Sequence, residues 1–277
     1  MIPTYIIHNK IKDYSNVCLG GDGGDETFFG YITFDAYYLA LKLKKIFPTF
    51  FLRILRKVVG PSKFSGEYIT FLTKVRKFFY SIHLNTKYLL GSWMGCLNVK
   101  DMGDLFNEKM SVDDMYGDLN NIYSDDLNLM RSAQLYYFKF YLPMVLAKVD
   151  QASMFNSVES RSPFLSKKII NFSLDQDVRK LYKFFNKKYF IRKIFSSDVP
   201  KEVLNRKKHG FAFPKEILLQ DKNLIENLLD YNLLTNRDFF KIKYRNFINK
   251  TEDCSQYLWN ELILNITLQN LNKSRTF

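Results

Sequence analysis

The run Cys18-Leu19-Gly20-Gly21-Asp22-Gly23-Gly24-Asp25-Glu26 constrains this chain more than any other segment. Glycine loses more conformational freedom on folding than any other residue, so a cluster of four is costly unless the backbone needs it. The need arises where φ is positive or where the main chain passes close to a ligand. An apolar run precedes the cluster and an aromatic, helix-forming segment follows it, so the segment reads as strand, loop, helix. Its three acids supply metal ligands or acceptors for a cationic or hydroxyl group. The plain alternative is a helix start, where acids are also favoured. A glycine-rich loop alone does not separate the two.

Two later segments, in order, narrow the choice. Residues 148–165 read Lys-Val-Asp-Gln-Ala-Ser-Met-Phe-Asn-Ser-Val-Glu-Ser-Arg-Ser-Pro-Phe-Leu. Residues 188–214 run from Lys188-Tyr189-Phe190-Ile191-Arg192-Lys193 to Arg206-Lys207-Lys208-His209-Gly210-Phe211-Ala212-Phe213-Pro214. With the glycine loop, they resemble the C-terminal synthetase domain of glutamine-hydrolysing asparagine synthetases. That family's patterns are Ser-Gly-Asp/Glu-Gly-x-Asp-Glu-x-Phe-Gly-Gly-Tyr, then Lys-Val-Asp-Arg-x-Ser-Met with Glu-Ala-Arg-x-Pro-Phe-Leu-Asp, then Arg-x-Lys-x-Gly-Phe-x-x-Pro. The likeness runs from about residue 3 to 214, and a helical tail occupies 215–277.

The resemblance implies an ATP-dependent amidoligase: aspartate is adenylated, then amidated with glutamine-derived ammonia. ATP and Mg2+ are the implied cofactors, and aspartate or a similar carboxylate the substrate. The family's ATP loop, Ser-Gly-Gly-x-Asp-Ser, and its N-terminal cysteine nucleophile are not seen in this sequence. The expected fold is therefore a predominantly α fragment of an α/β nucleotide-binding, PP-loop ATP pyrophosphatase-like synthetase domain covering 1–277. Upstream synthetase and glutaminase segments, if separately encoded, are the expected partners; a split gene, a frameshifted gene and an incomplete gene model fit equally. A homologue acting on another carboxylate, or an inactive remnant, are the alternatives.

By the same resemblance, Lys208 holds the position of the catalytic lysine, and Lys207 is one place off register. A compact ammonium suits a phosphate whose charge shifts during reaction. Asp22 is the candidate proton acceptor or substrate-amine contact. Asp25 is expected to face the ligand, and Glu26 to begin the following helix. Gly21, Gly23 and Gly24 are expected to let backbone amides approach substrate or nucleotide. Lys188 and Arg192, four apart, would share a helix face towards phosphate or a carboxylate. Lys148, Asp150, Glu159 and Arg161 form a supporting constellation, with Asp150 and Arg161 read as an ion pair. No metal-ligating set is assigned. Departures from the pattern are Gly20 for serine, Thr27 and Phe29 in the Leu-Phe-Gly-Gly run, Gln151 for arginine and Ser166 for aspartate.

Net charge is +13, from 41 Lys and Arg against 28 Asp and Glu. Such a balance suits anionic partners. The lysines nevertheless read as spread through the chain, with Lys42–Lys45 and Arg53–Lys57 as solvated helix faces. No nucleic-acid signature is present. No apolar run approaches the ~20 residues that span a bilayer, so neither nucleic acid nor membrane is expected as a partner. Three scattered cysteines indicate no disulfide framework or zinc site and fit a reducing cytoplasm; Cys18 is expected to be a small buried hydrophobe.

Elsewhere the pattern predicts helices over 4–12, 28–47, 50–59, 67–82, 224–230, 237–249 and 255–271. Strand content is expected only at 16–19, and short helices and loops over 91–123. Ser124 is expected to cap a helix through Phe140. Pro143, Pro163, Pro200 and Pro214 are expected to punctuate short helices.

Overall fold

A computed structural model describes residues 1–59, 71–123, 128–206, 215–229 and 236–274. Helix α1 (Ile2–Ile11) leads to strand β1 (Val17–Leu19), the four-residue helix α2 (Gly24–Thr27) and α3 (Ile32–Ile46). Then come α4 (Thr49–Val59), α5 (Phe71–Ser81), α6 (Leu89–Met94), α7 (Val99–Phe106) and α8 (Val112–Tyr116). They are followed by α9 (Leu129–Tyr136), α10 (Leu142–Met154), strand β2 (Glu159–Arg161), α11 (Lys167–Asp175), α12 (Val178–Leu181), α13 (Tyr189–Ile194) and α14 (Lys201–Asn205). Last are α15 (Lys215–Leu219), α16 (Lys222–Leu229), α17 (Arg237–Ile248) and α18 (Ser255–Ser274).

The chain divides into two compact units, Met1–Leu43 with Asn120–Phe213, and Lys44–Leu119 with Pro214–Phe277. In the first unit β1 and β2 pair in parallel, Val17 opposite Glu159, Cys18 opposite Ser160 and Leu19 opposite Arg161. Strand character at 159–161 departs from the expectation that strands stop at residue 19. Isolated three-residue strands carry little propensity signal, and only pairing with the distant β1 makes one here. Cys18 is half-buried rather than buried.

The predicted helix over 28–47 is broken near its start. The N–H of Gly30 donates to the carbonyl of Asp25 at 2.7 Å, and Phe29 takes φ 54°. This six-to-one bond with a left-handed residue before it is a Schellman ending. Phe29 stands at the left-handed position, where the family-like pattern has glycine. Its ring is 1% exposed, packed edge-on to Phe34 at 4.9 Å and tilted against Tyr182 at 5.6 Å. Ring burial holds a backbone conformation that a bulky residue otherwise avoids.

Pro143 does not end a helix. A π-turn over Tyr137–Tyr141 joins α9 directly to α10, with Pro143 in the first turn of α10. Proline is tolerated there because a first-turn N–H lacks an intrahelical acceptor anyway. Ser124 lies outside the described residues; α9 is capped by Asn128, whose side chain accepts from the N–H of Met130. Pro163 opens a 3-10 turn and Pro200 caps α14, as punctuation predicts, while Pro214 lies outside the described residues.

The second unit has its own core, in which Leu97, Leu105, Leu219, Ile225, Phe240 and Leu258 meet. Lys243 of α17 is buried there between Asp101 at 2.9 Å and Glu252 at 2.7 Å.

Candidate active site

The glycine-acid loop joins the end of β1 to α2. Gly20 continues the sheet: its N–H donates to the Arg161 carbonyl at 2.7 Å. A methyl group at Gly20 would lie 3.1 Å from Asp22 Oδ2, 3.5 Å from Ser160 Oγ and 3.7 Å from Ser162 Oγ. The Asp22 carboxylate and two serine hydroxyls therefore surround one small space at the carboxyl ends of both strands. Ligands favour that end of parallel sheets. The serines escaped the sequence reading, although strand alternation puts Ser160 on the face opposite Glu159 and Arg161.

The glycines differ in their reasons. Gly23 takes φ 82° as the N-cap of α2, and a Cβ there would lie 2.1 Å from Leu165 Cδ2. A Cβ on Gly24 would lie 3.1 Å from the Phe164 ring, whereas one on Gly21 would meet nothing within 4 Å. Packing of the Pro-Phe-Leu segment onto the loop thus accounts for Gly23 and Gly24, and Gly21 is the position open to an incoming group.

Asp25 and Glu26 form the first turn of α2 and diverge. Asp25 Oδ1 forms an ion pair with Lys188 Nζ at 3.2 Å, with both side chains largely shielded. Lys188, at φ 52°, is the N-cap of α13, which carries Arg192. Glu26 turns inward to 1% exposure and accepts a hydrogen bond from Tyr31 Oη at 2.7 Å. Burial raises its pKa, the Tyr31 bond opposes the rise, and the charges of Asp25 and Asp22 add to it. The Tyr31 ring stacks on Tyr137 at 4.8 Å and meets Tyr141 edge-on at 5.4 Å. Glu26 therefore does more than begin a helix: it is a buried acid in an aromatic nest.

Two buried groups position this loop. Gln134 Nε2 donates to the carbonyls of Thr27 (2.8 Å) and Glu26 (3.3 Å) and to Ser173 Oγ (3.0 Å). Ser173 Oγ donates in turn to the Thr27 carbonyl at 2.7 Å. They satisfy carbonyls that the end of a helix leaves unpaired. Asp35, 4% exposed, accepts from Tyr182 Oη at 2.9 Å and from the N–H of Phe185 at 3.1 Å, anchoring the turn that delivers Lys188. Neither Gln134 nor Asp35 was singled out from sequence; a polar residue amid aromatics is their only local signal.

The supporting constellation does not assemble as expected. Arg161 pairs with Glu159, not Asp150, through bonds of 2.8 and 3.0 Å. Both lie on one face of β2, two residues apart, which strand alternation dictates. The pair is exposed; Glu159 is held below its ordinary range by the Arg161 bond. Asp150 is exposed on α10, and neither it nor Lys148 makes an ion pair among the described residues. Lys148 is half-buried and close enough to lower the pKa of the Met1 amine, after burial. Lys207 and Lys208 lie outside the described residues.

Among the described residues no three His, Cys, Asp or Glu side chains gather as a metal centre would need. The loop's acid surplus suits an amine-bearing group; for phosphate, Lys188 is a described cation that reaches the loop.

The loop at the strand ends, rich in glycine and acid, is reached by Lys188 from the start of α13. The family model for asparagine synthase matches residues 1–269, and the chain belongs to that family. It is 28% identical over 227 residues to asparagine synthetase [glutamine-hydrolyzing] 1 of Bacillus subtilis (strain 168), covering 77% of this chain. The chain spans 33% of that relative's length. No solved structure matches significantly. Among the described residues, no helix is long and apolar enough to cross a membrane.

Proposed function

We propose that the chain is the carboxylate-activating portion of an ATP-dependent amide ligase that converts aspartate to asparagine. The observation that carries this reading is the convergence of Asp22 with Ser160 and Ser162 beside the open Gly21 position. ATP would supply the activation: the side-chain carboxylate attacks the α-phosphorus, pyrophosphate leaves, and ammonia then displaces AMP from the acyl carbon. Asp22 receives the proton that the attacking ammonia sheds. Asp25, held by Lys188, orients the substrate amino group, and Lys208 neutralises charge on the departing pyrophosphate. Glu159 and Arg161 brace β2 behind the site. A PP-loop type sheet would add further strands beside β1 and β2. Support comes from the pair itself, since parallel sheets are normally covered on both faces, whereas Val17 is 40% and Leu19 75% exposed. Segments bearing the Ser-Gly-Gly-x-Asp-Ser loop and a glutaminase are the proposed partners.

The test is aspartate-dependent exchange of pyrophosphate into ATP, with the chain supplied with a polypeptide bearing that loop. Lys208→Ala should reduce exchange on the order of 10²–10³-fold, as for one preorganised electrostatic donor, and Lys207→Ala far less. The reverse order would shift the register by one. A second reading, amidation of a different carboxylate, is favoured by Gly20, Gln151 and Ser166; exchange triggered by another acid but not aspartate would select it. No exchange with any acid would indicate an inactive remnant.

A further inference from the structure

Charge in this chain is not evenly spread. Between Asp35 and Asp101 the sequence holds twelve Lys and Arg against the single acid Glu67, a surplus of eleven within the chain's +13. Helix α4 lies inside that stretch and contains no acid. On the flank opposite its buried Leu52, Phe50 (65% exposed), Ile54 (51%) and Val58 (77%) form a row at intervals of four residues. Residues four apart share a helix face. Arg53 and Lys57 of the same helix are exposed between them. Arg56 is engaged elsewhere, donating to Tyr80 Oη at 3.2 Å and lying 3.1 Å from His83 Nε2. Helix α5 packs against α4 within the same unit and begins with Phe71 (80%) and Leu72 (56%), followed by exposed Lys74.

An apolar row flanked only by cations is the pattern of a helix that lies in a membrane interface. We propose that the Phe50-Ile54-Val58 face of α4, with Arg53 and Lys57, docks in the plane of an anionic lipid surface. A second copy of the chain would bring like charges together, which disfavours self-association through this face. A fluid headgroup layer accepts protruding Phe, Ile and Val side chains without a complementary shape, while its anionic lipids attract the flanking cations. The face needs no spanning segment, so the expectation of no membrane partner, drawn from the absence of one and from an even spread of lysines, does not bear on it.

Flotation of the full chain on a density gradient tests the docking, because aggregates sediment while lipid-bound protein rises. The chain should float with phosphatidylserine-containing vesicles, stay behind with pure phosphatidylcholine, and be released by salt. The double variant Arg53→Gln, Lys57→Gln should lower the partition coefficient on the order of tenfold or more. The triple variant Phe50→Ser, Ile54→Ser, Val58→Ser should lower it comparably, with unchanged circular dichroism. Should the triple variant misfold, the charge variant decides alone. Failure to float with anionic vesicles, equal flotation with neutral ones, or full binding by the charge variant would overturn the proposal. Capture of an acidic protein or nucleic acid without flotation would assign the face to that partner and overturn it equally.

Discussion

Lys188 Nζ stands 3.2 Å from Asp25 Oδ1, and Gly30 leaves the space in which they meet. A Cβ on Gly30 would lie 1.9 Å from that oxygen and 2.7 Å from Lys188 Cε. The pair joins two segments more than 160 residues apart in sequence, so its formation depends on a missing side chain in a third place. Gly30→Ala should displace the pair and cost about 1–3 kcal/mol, the usual range for overpacking. Gly21→Ala, facing open space, should change stability by no more than about 0.5 kcal/mol. Urea unfolding of both variants makes the comparison, and equal losses would contradict the packing argument.

Phe29 sets left-handed strain against ring burial. Phe29→Gly would relieve strain of about 1 kcal/mol or more but forfeit a buried ring whose deletion costs about 3–5 kcal/mol. The net expectation is a loss of about 2 kcal/mol in urea unfolding measurements. A gain in stability would show that backbone strain outweighs the contacts with Phe34 and Tyr182.

Glu26 gives the protein a pH dependence of identifiable sign. Its folded pKa is raised, burial being the main cause. Its contribution is therefore fully present below the ordinary glutamate range and is lost as pH rises through the raised folded value. Glu26→Gln still accepts the Tyr31 hydroxyl but does not titrate. The variant should equal or exceed the parent in thermal midpoint at neutral pH, with the advantage shrinking as the pH falls. An advantage that grows on acidification would reverse the assignment.

In the second unit, Lys243 bridges Asp101 and Glu252. Burial works against its charge, but hydrogen bonds to both carboxylates prevail and raise its pKa. Burial likewise opposes ionisation of Glu252 and is the largest single influence, but the Lys243 bond and charge together with bonds from Asn246 and Cys254 leave that pKa lowered. Lys243→Met should cost about 3–5 kcal/mol, because it strands two shielded carboxylates. The Glu252 contribution is present above the ordinary carboxylate range and lost as pH falls through its lowered folded value. Acid unfolding should therefore begin at higher pH in the parent than in a Glu252→Gln, Lys243→Met double variant measured relative to its own neutral stability.

What local chemistry can dictate was legible in the order of the residues alone. Helices α1, α4 and α17 follow their apolar spacing and flanking residues, and β1 follows a short apolar run before glycine. The three family-like segments identified the ligase family because ordered residue patterns need no coordinates. Tertiary structure decided everything that depends on a distant partner. Three residues at 159–161 become a strand only beside β1, and strand alternation then pairs Arg161 with Glu159 instead of Asp150. Phe29 can occupy a glycine's backbone conformation only because Phe34 and Tyr182 bury its ring. Glu26 turns from a helix-starting acid into a buried one because Tyr31, Tyr137 and Tyr141 close over it. Local preferences are worth a fraction of a kcal/mol per residue, whereas burying a ring or a carboxylate involves several, so packing prevails wherever the two disagree.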